Sequence, residues 1–260
     1  MKAGRFHGHP CSLAYHPDFE GKDLNKISAE EYAKLRTPPA VWIPHGELAC
    51  SPGNPEWDTT SGKFGPFAGQ IFIGDQTRSN VFRVALEKVG GEYQGCAINM
   101  IDSLQSGAIR LAFAPDGSLW VGETSRGWGS AGGAPYGVQR IVFDGKAKPF
   151  EVHSVLLEKD GFTVRFTEPA NGEAAKPESY RAASWGYLYH GNYGSPKVDE
   201  RQLDVSKVAL SADKKSARLT VGGLEAGRVH RLDFADQIRA AEGDAKLTSR
   251  IAYYTANRLR

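Results

Sequence analysis

The sequence predicts an all-β chain in two parts, and three observations carry that prediction. An eight-residue pattern occurs twice, as "IFIGDQTR" at 71–78 and "LWVGETSR" at 119–126, 48 residues apart. Around both copies apolar and polar residues alternate, which is the period of half-buried strands. Beyond about residue 150 the pattern stops and alternating segments of a different spacing take over. With 260 residues the chain can bury a sizeable core.

Bulk composition excludes several function classes. Lys+Arg number 32 and Asp+Glu 30, too even a balance for a nucleic-acid partner or an anionic membrane surface. No apolar run approaches the roughly 18 residues of a membrane helix, and "MKAGRFHGHP" has no apolar core of an export signal. Three cysteines, Cys11, Cys50 and Cys96, leave two arrangements open: one disulfide with a spare thiol, or three buried thiols.

Taken in order, the N-terminal segment is irregular and rich in Pro and Gly. Its "HGHPCSLAYH" holds His7, His9, Cys11 and His16, but the spacing matches no closed zinc pattern, and there is no C-x-x-C-H for a c-type haem. "SAEEYAKLR" predicts a short helix, with Ser28 as N-cap and Glu31 three residues on, ending before Thr37-Pro38-Pro39. His45 follows "VWIP" and reads as a loop histidine. Each repeat copy then predicts a hairpin, since "VFRV" (81–84) after the first corresponds to "VQRI" (138–141) after the second. In the second unit Asp116-Gly117 predicts a turn, because Pro115 presets φ and Gly117 tolerates φ > 0. Between its strands lies the insertion "GWGSAGGAPYG", which lacks the Lys and Ser/Thr of a phosphate loop. Trp128 and Tyr136 lie on it and could stack on a sugar ring or pack the loop.

Lys146 to Pro149 reads as a link. After it, "GFTVRFTEPANG", "SKVALSADKKSARLTVGGL", "GRVHRLDFAD" and "RIAYYTANRL" predict a sandwich, with Asp213-Lys214-Lys215 as a hairpin tip. Trp185, Tyr187, Tyr189 and Tyr193 follow an approximate two-residue period and predict an aromatic core or seam.

A repeat of 40–50 residues with several short strands per unit is the pattern of a β-propeller blade. Residues 40–145 supply seven or eight strands, about two blades at roughly four strands each, whereas a ring needs about four blades or more. The predicted architecture is therefore a partial β-propeller over 1–148 followed by a β-sandwich over 149–260. Its open flank calls for the remaining propeller blades or a partner chain, the alternative being that the two blades pack as a non-propeller sheet.

These residues resemble a known family. "GRFHGHP", "GKFGPFAGQIFIGDQTRSNVFRV", "GEYQG", "GAIRLAFAPDGSLWVGETSRGWGS" and "YGVQRIVFDGKAKPFEV" are similar to the closing part of glucose/sorbosone dehydrogenase-like propellers. In that family six blades surround pyrroloquinoline quinone (PQQ), polarised by calcium. The segment from 160 to 260 resembles a bacterial Ig-like sandwich. The resemblance implies a periplasmic or extracellular protein, a sugar ligand, and the C-terminal portion of a quinone-dependent sugar dehydrogenase-like protein. It further implies that the catalytic histidine belongs to an early blade absent from this chain, so that the chain alone is expected to be inactive.

Carried over residue by residue, the resemblance places Arg110 against the quinone carboxylates, where a planar fork of donors suits an oxyanion. Its usual companion is replaced by Ala108, and the family lysine falls at Thr77, with Arg78 beside it. Gly8 and Pro10 are implied as main-chain oxygen donors to calcium. From the residues themselves, Arg110 reads either as an ion pair with Asp102 or Glu123 or as a ligand contact, since burying an unpaired guanidinium is costly. Asp75, Glu123, Arg78 and Arg126 occupy repeat-equivalent positions and read as loop braces. The alternative function is a non-catalytic scaffold that binds protein or glycan.

Overall fold

The computed structural model describes residues 6–190 and 194–260; Tyr193 lies outside them. Among the described residues the chain is all-β, with three antiparallel sheets, one short α-helix, α1 (Ala29–Leu35), and short 3₁₀ turns. No helix among the described residues is long and apolar enough to cross a membrane. The helix begins as expected: the Ser28 side chain accepts from the Glu31 amide, and the Glu31 carboxylate accepts from the Ser28 amide.

The first repeat forms β1 (Pro52–Trp57), β2 (Ile71–Asp75), β3 (Asn80–Val89) and β4 (Glu92–Ile101). The second forms a separate three-stranded sheet of β5 (Ala108–Phe113), β6 (Leu119–Thr124) and β7 (Tyr136–Ile141). Asp116-Gly117 is the expected turn between β5 and β6: Gly117 has φ 89°, and the Asp116 carboxylate accepts from the Ser118 amide and hydroxyl. The rest of the chain forms β8 (Val152–Glu158), β9 (Gly161–Phe166), β10 (Tyr180–Tyr187), β11 (Lys197–Leu203), β12 (Val205–Leu210), β13 (Ser216–Val221), β14 (Arg228–Phe234) and β15 (Ile251–Ala256). Asp213-Lys214-Lys215 turns β12 into β13, with the Lys215 amide on the Asp213 carboxylate.

The first repeat is not a free-standing sheet. It continues through β4 into β15, giving an eight-stranded sheet in the order β1-β2-β3-β4-β15-β14-β10-β11. The expected boundary at 148/149 falls between β7 and β8, and hydrogen bonds cross it. Besides the β4–β15 ladder, the Arg83 guanidinium on β3 donates to the carbonyls of Val152 and His153.

Three apolar clusters hold the sheets together. The largest joins the middle of the long sheet to a four-stranded sheet of order β12-β13-β9-β8, through Phe162, Val164, Leu219, Leu232 and Tyr254. On the opposite face, Phe82, Val84, Trp185 and Tyr253 are covered by the segment 41–49, which contributes Trp42, Ile43 and Leu48. The third cluster lies between the repeats, where Phe64, Phe67, Phe72 and Val81 meet Ala108, Leu111, Leu119 and Val121. All three cysteines are free, and their surroundings differ: Cys11 is exposed, Cys50 half-buried and Cys96 buried.

Candidate functional site

The two repeats are built on one register, pair for pair. Ile71 faces Val84 as Leu119 faces Ile141, Phe72 faces Arg83 as Trp120 faces Arg140, and Gly74 faces Val81 as Gly122 faces Val138. Each unit has a one-residue bulge early in its first strand, between Pro52 and Pro55 in one and between Ala108 and Arg110 in the other. Residues directly opposite share a face. The face bearing Phe72, Arg83, Gly74 and Val81 in the first unit is therefore equivalent to the face bearing Trp120, Arg140, Gly122 and Val138 in the second.

Those equivalent faces have opposite fates. Phe72 and Val81 are 0% exposed, because the second unit lies against them. Trp120 is 43% exposed, Val138 65% and Tyr136, next on that face, 76%. Arg83 lies over the Phe67 ring at 4.4 Å and is buried, whereas Arg140 lies 5.8 Å from the Trp120 ring in solvent and pairs with Asp116 at 2.6 Å. Asn54, which stands just before the Pro55–Ile73 pair as Arg110 stands just before the Leu111–Val121 pair, bonds the Leu111 amide of the neighbouring unit with its carbonyl oxygen at 3.1 Å.

Arg110 therefore stands on the open face rather than in a core. It is exposed, its guanidinium donates to the adjacent Ile109 carbonyl, and it pairs with neither expected acid. Asp102 accepts instead from Asn99, and Glu123 from the Ser106 amide. Strand alternation after the bulge decides this, since Leu111 and Phe113 take the inward side and leave Arg110 and Ala112 outward.

The repeated acids brace loops as expected. Asp75 is buried and accepts the amides of Cys50, Ser51 and Arg78; Glu123 is buried and accepts the Ser106 amide. Ser51 and Ser106 each stand just before the first strand of their unit, so both acids fasten the entry of their own unit. Burial raises the Glu123 carboxyl above its usual pKa, and the Ser106 amide opposes this. Arg78 braces through the Gly46 carbonyl, while Arg126 donates its own amide to the Thr124 hydroxyl.

The residues that the resemblance assigns to quinone and calcium are directed to separate surroundings. The Thr77 hydroxyl donates to the Ser51 hydroxyl, and its carbonyl holds the amide of Ala131 in the glycine-rich insertion. Arg78 lines a polar cleft of about 790 Å³ with Glu47, Arg231, Asp233 and Tyr253, where the charges already neutralise one another. Glu47 there accepts from Lys197, Tyr253 and Arg231; burial acts upward on its carboxyl, but these donors hold it below the usual range. The Gly8 carbonyl accepts from the Tyr189 hydroxyl at 2.7 Å, and Pro10 is buried at the start of a 3₁₀ turn. Among the described residues no cluster of His, Cys, Asp and Glu is suited to a metal ion. Arg110, Thr77 and Arg78 thus make separate contacts, to the Ile109 carbonyl, the Ser51 hydroxyl and the Gly46 carbonyl.

Trp128 and Tyr136 are both exposed, the latter on the open face. The insertion between them crosses the first unit: the Gly132 amide bonds the Ser79 hydroxyl and the Ala134 amide the Gln105 carbonyl. A Cβ at Gly132 would stand 2.4 Å from the Gln105 carbonyl carbon, so glycine is what permits this approach.

A second cavity, of about 750 Å³, lies where the N-terminal segment meets β10. Gly8, His9 and His45 contribute to its lining, along with Arg36, Trp42, Tyr93, Tyr187 and Tyr189. The aromatic run after Trp185 thus divides: Trp185 is fully buried in the core, Tyr187 stacks obliquely on Trp42 at 5.1 Å, and Tyr189 meets Tyr32 edge-on at 6.1 Å. Sequence reasoning placed a seam here but missed Arg36 and Trp42. Arg36 looked like the last residue of a helix, and only the extended "TPPAVW" leading back to the sheet hinted that it could face an aromatic wall.

No protein-family model, curated protein or solved structure matches this chain.

Proposed function

We propose that the chain is the closing, C-terminal portion of a propeller of the glucose/sorbosone dehydrogenase type followed by an Ig-like sandwich. In this reading the Trp120 face receives the next blade, and the chain does not catalyse on its own. One observation carries the proposal: Phe72 and Trp120 hold the same place in the same register, and what covers Phe72 is the following repeat. By translation, what belongs on Trp120 is a further unit presenting the side that Leu119 and Val121 present to Phe72. An uncovered sheet face with exposed Trp, Tyr and Val is otherwise an association liability. The large cluster between the long sheet and the β12-β13-β9-β8 sheet supports the sandwich reading. The scatter of Arg110, Thr77, Arg78, Gly8 and Pro10 supports a non-catalytic role for this portion, any redox chemistry then residing in other blades.

Footprinting tests the proposal. Hydroxyl radicals should modify Trp120 in the isolated chain and spare it in the assembly recovered from the native cell. A cross-linker on Val138→Cys should then reach a strand of the pattern apolar, any, apolar, Gly, acid. Equal modification of Trp120 in both states, or a cross-link to a surface without such a strand, overturns it. Added PQQ and calcium should produce no dye reduction with aldoses in the isolated chain.

A further inference from the structure

The cavity between the N-terminal segment and β10 has a composition that the propeller reading does not explain. Its walls are flat and apolar, formed by Trp42, Tyr187, Tyr189 and Tyr93, and its volume is in the range of small-molecule sites. Set into those walls is one guanidinium. The Arg36 Cζ lies over both rings, 4.8 Å from the centre of Trp42 and 5.2 Å from that of Tyr189. Burial draws its pKa below the usual value, and among the described residues no carboxylate neutralises it. Glu92, the one acid among the described lining residues, has a partner of its own. At the opposite wall the Lys88 ammonium lies 4.8 Å from the centre of the Tyr93 ring, a second cation beside the cavity.

A half-buried guanidinium is costly to leave without an anion. Its planar N–H edge fits two carboxylate oxygens side by side, and contact with two rings restrains it so that little freedom is lost when they bind. Thr37, also in the lining, carries a buried hydroxyl oxygen without a partner, a further polar group in an apolar setting. The aromatic walls in turn suit the flat face of a ring rather than a free inorganic anion.

We infer that this cavity binds a carboxylate carried on a flat ring, the carboxylate held by Arg36 and the ring laid against Trp42 and Tyr187. Two sources share that chemistry, a uronic acid sugar and an aromatic acid. The inference is independent of the blade proposal, since neither Trp120 nor any residue of the β5–β7 sheet lines the cavity.

Tryptophan fluorescence and calorimetric titration of the whole chain test it, with a uronate trisaccharide, its methyl ester, the matching neutral trisaccharide and naphthoate as probes. One of the two acids should bind, and its ester or neutral counterpart should bind weaker by about tenfold or more, the loss expected for removing charged hydrogen bonds. Binding by the trisaccharide acid alone identifies the sugar source, and by naphthoate alone the aromatic one. Arg36→Gln should abolish the preference for the acid while leaving the thermal midpoint unchanged, and Arg36→Lys should restore part of it. Equal binding of acid and ester, an unchanged preference in Arg36→Gln, or no binding of either acid overturns the inference.

Discussion

Two hairpins with the same motif, the same register and the same bulge differ in one respect: the first has a neighbour on both faces, the second on one. Ile71 and Ile73 of the first unit pack under the 41–49 segment, and Phe72 packs under the second unit. Leu119 and Val121 of the second unit pack against the first, and Trp120 faces solvent. The residues chosen at equivalent places remain apolar and bulky whether covered or not. The motif therefore specifies a stackable unit, and burial is set by what the unit is stacked on.

The sharpest way to break that comparison is to truncate equivalent side chains. Phe72 lies edge-on to Phe64, Phe67 and Phe113, with ring centroids 5.4, 6.5 and 5.6 Å away. Phe72→Ala should cost about 3–5 kcal/mol through lost burial and the cavity left behind. Trp120→Ala should stay within about 1 kcal/mol in the isolated chain. Urea unfolding of both variants checks this, and similar losses would mean that the open face is covered in solution.

Next in size is the arginine pair. Arg83 donates to the Gln70 side chain at 2.8 Å and the His153 carbonyl at 2.7 Å, with buried Glu151 nearby as counter-charge. Burial lowers the pKa of Arg83 to about 10 and raises that of Glu151. Arg83→Met strands that acid and three acceptors, a loss on the order of 3 kcal/mol. Arg140→Met removes only an exposed ion pair and should cost less than about 1 kcal/mol. Arg83 also ties β3 to β8, so its variant should loosen the second half of the chain, visible as faster amide exchange in β8.

Smaller again is the effect at the paired glycines. A Cβ on Gly74 would lie 2.9 Å from both the Cβ and the carbonyl oxygen of Ala108, so Gly74→Ala must push the two units apart, at a cost of about 1–3 kcal/mol. At Gly122 the nearest atom is the Arg110 Cβ at 3.4 Å, and Gly122→Ala should be neutral or stabilising by up to about 1 kcal/mol. Thermal melts of the two variants decide the point.

How much of this was readable beforehand follows from the range of the interactions. The hairpins, the Asp116-Gly117 turn and the Ser28 capping box depend on residues a few positions apart, and they stand where the local pattern put them. The orientation of Arg110 was also local, because alternation turns it outward, although its apolar neighbours suggested a core. By contrast, the β4–β15 ladder joins residues such as Ile98 and Ala252, and no short-range pattern announces such a partner. The same holds for Arg36, one of whose two aromatic partners, Tyr189, lies just past the end of β10 in the second half of the chain. A repeat can be read within one sequence, whereas a cavity assembled from distant segments requires the fold.

The smallest expected difference lies at the turns that close the two units, and it depends on pH. Both turns use an aspartate that accepts from the amide and hydroxyl two residues on, Asp58 with Thr60 and Asp116 with Ser118, but Asp58 is buried and Asp116 exposed. The Ser118 hydroxyl and amide, with Arg140 adding its charge, hold the Asp116 carboxyl down to about 2, against 3.8 when unperturbed. Between those values the unfolded chain binds more protons than the folded one. The stabilisation from this carboxylate is therefore complete above about pH 4 and is lost as pH falls through about 2. Asp116→Asn keeps an acceptor for Ser118 but not the charge, so its deficit relative to the parent chain should be visible near neutrality and shrink toward pH 2 in melts recorded at low salt. A deficit constant with pH would assign the turn's contribution to hydrogen bonding alone. The second unit would then be fastened at its tip by the Asp116–Ser118 hydrogen bonds and the Gly117 turn rather than by the charge of the Asp116–Arg140 pair.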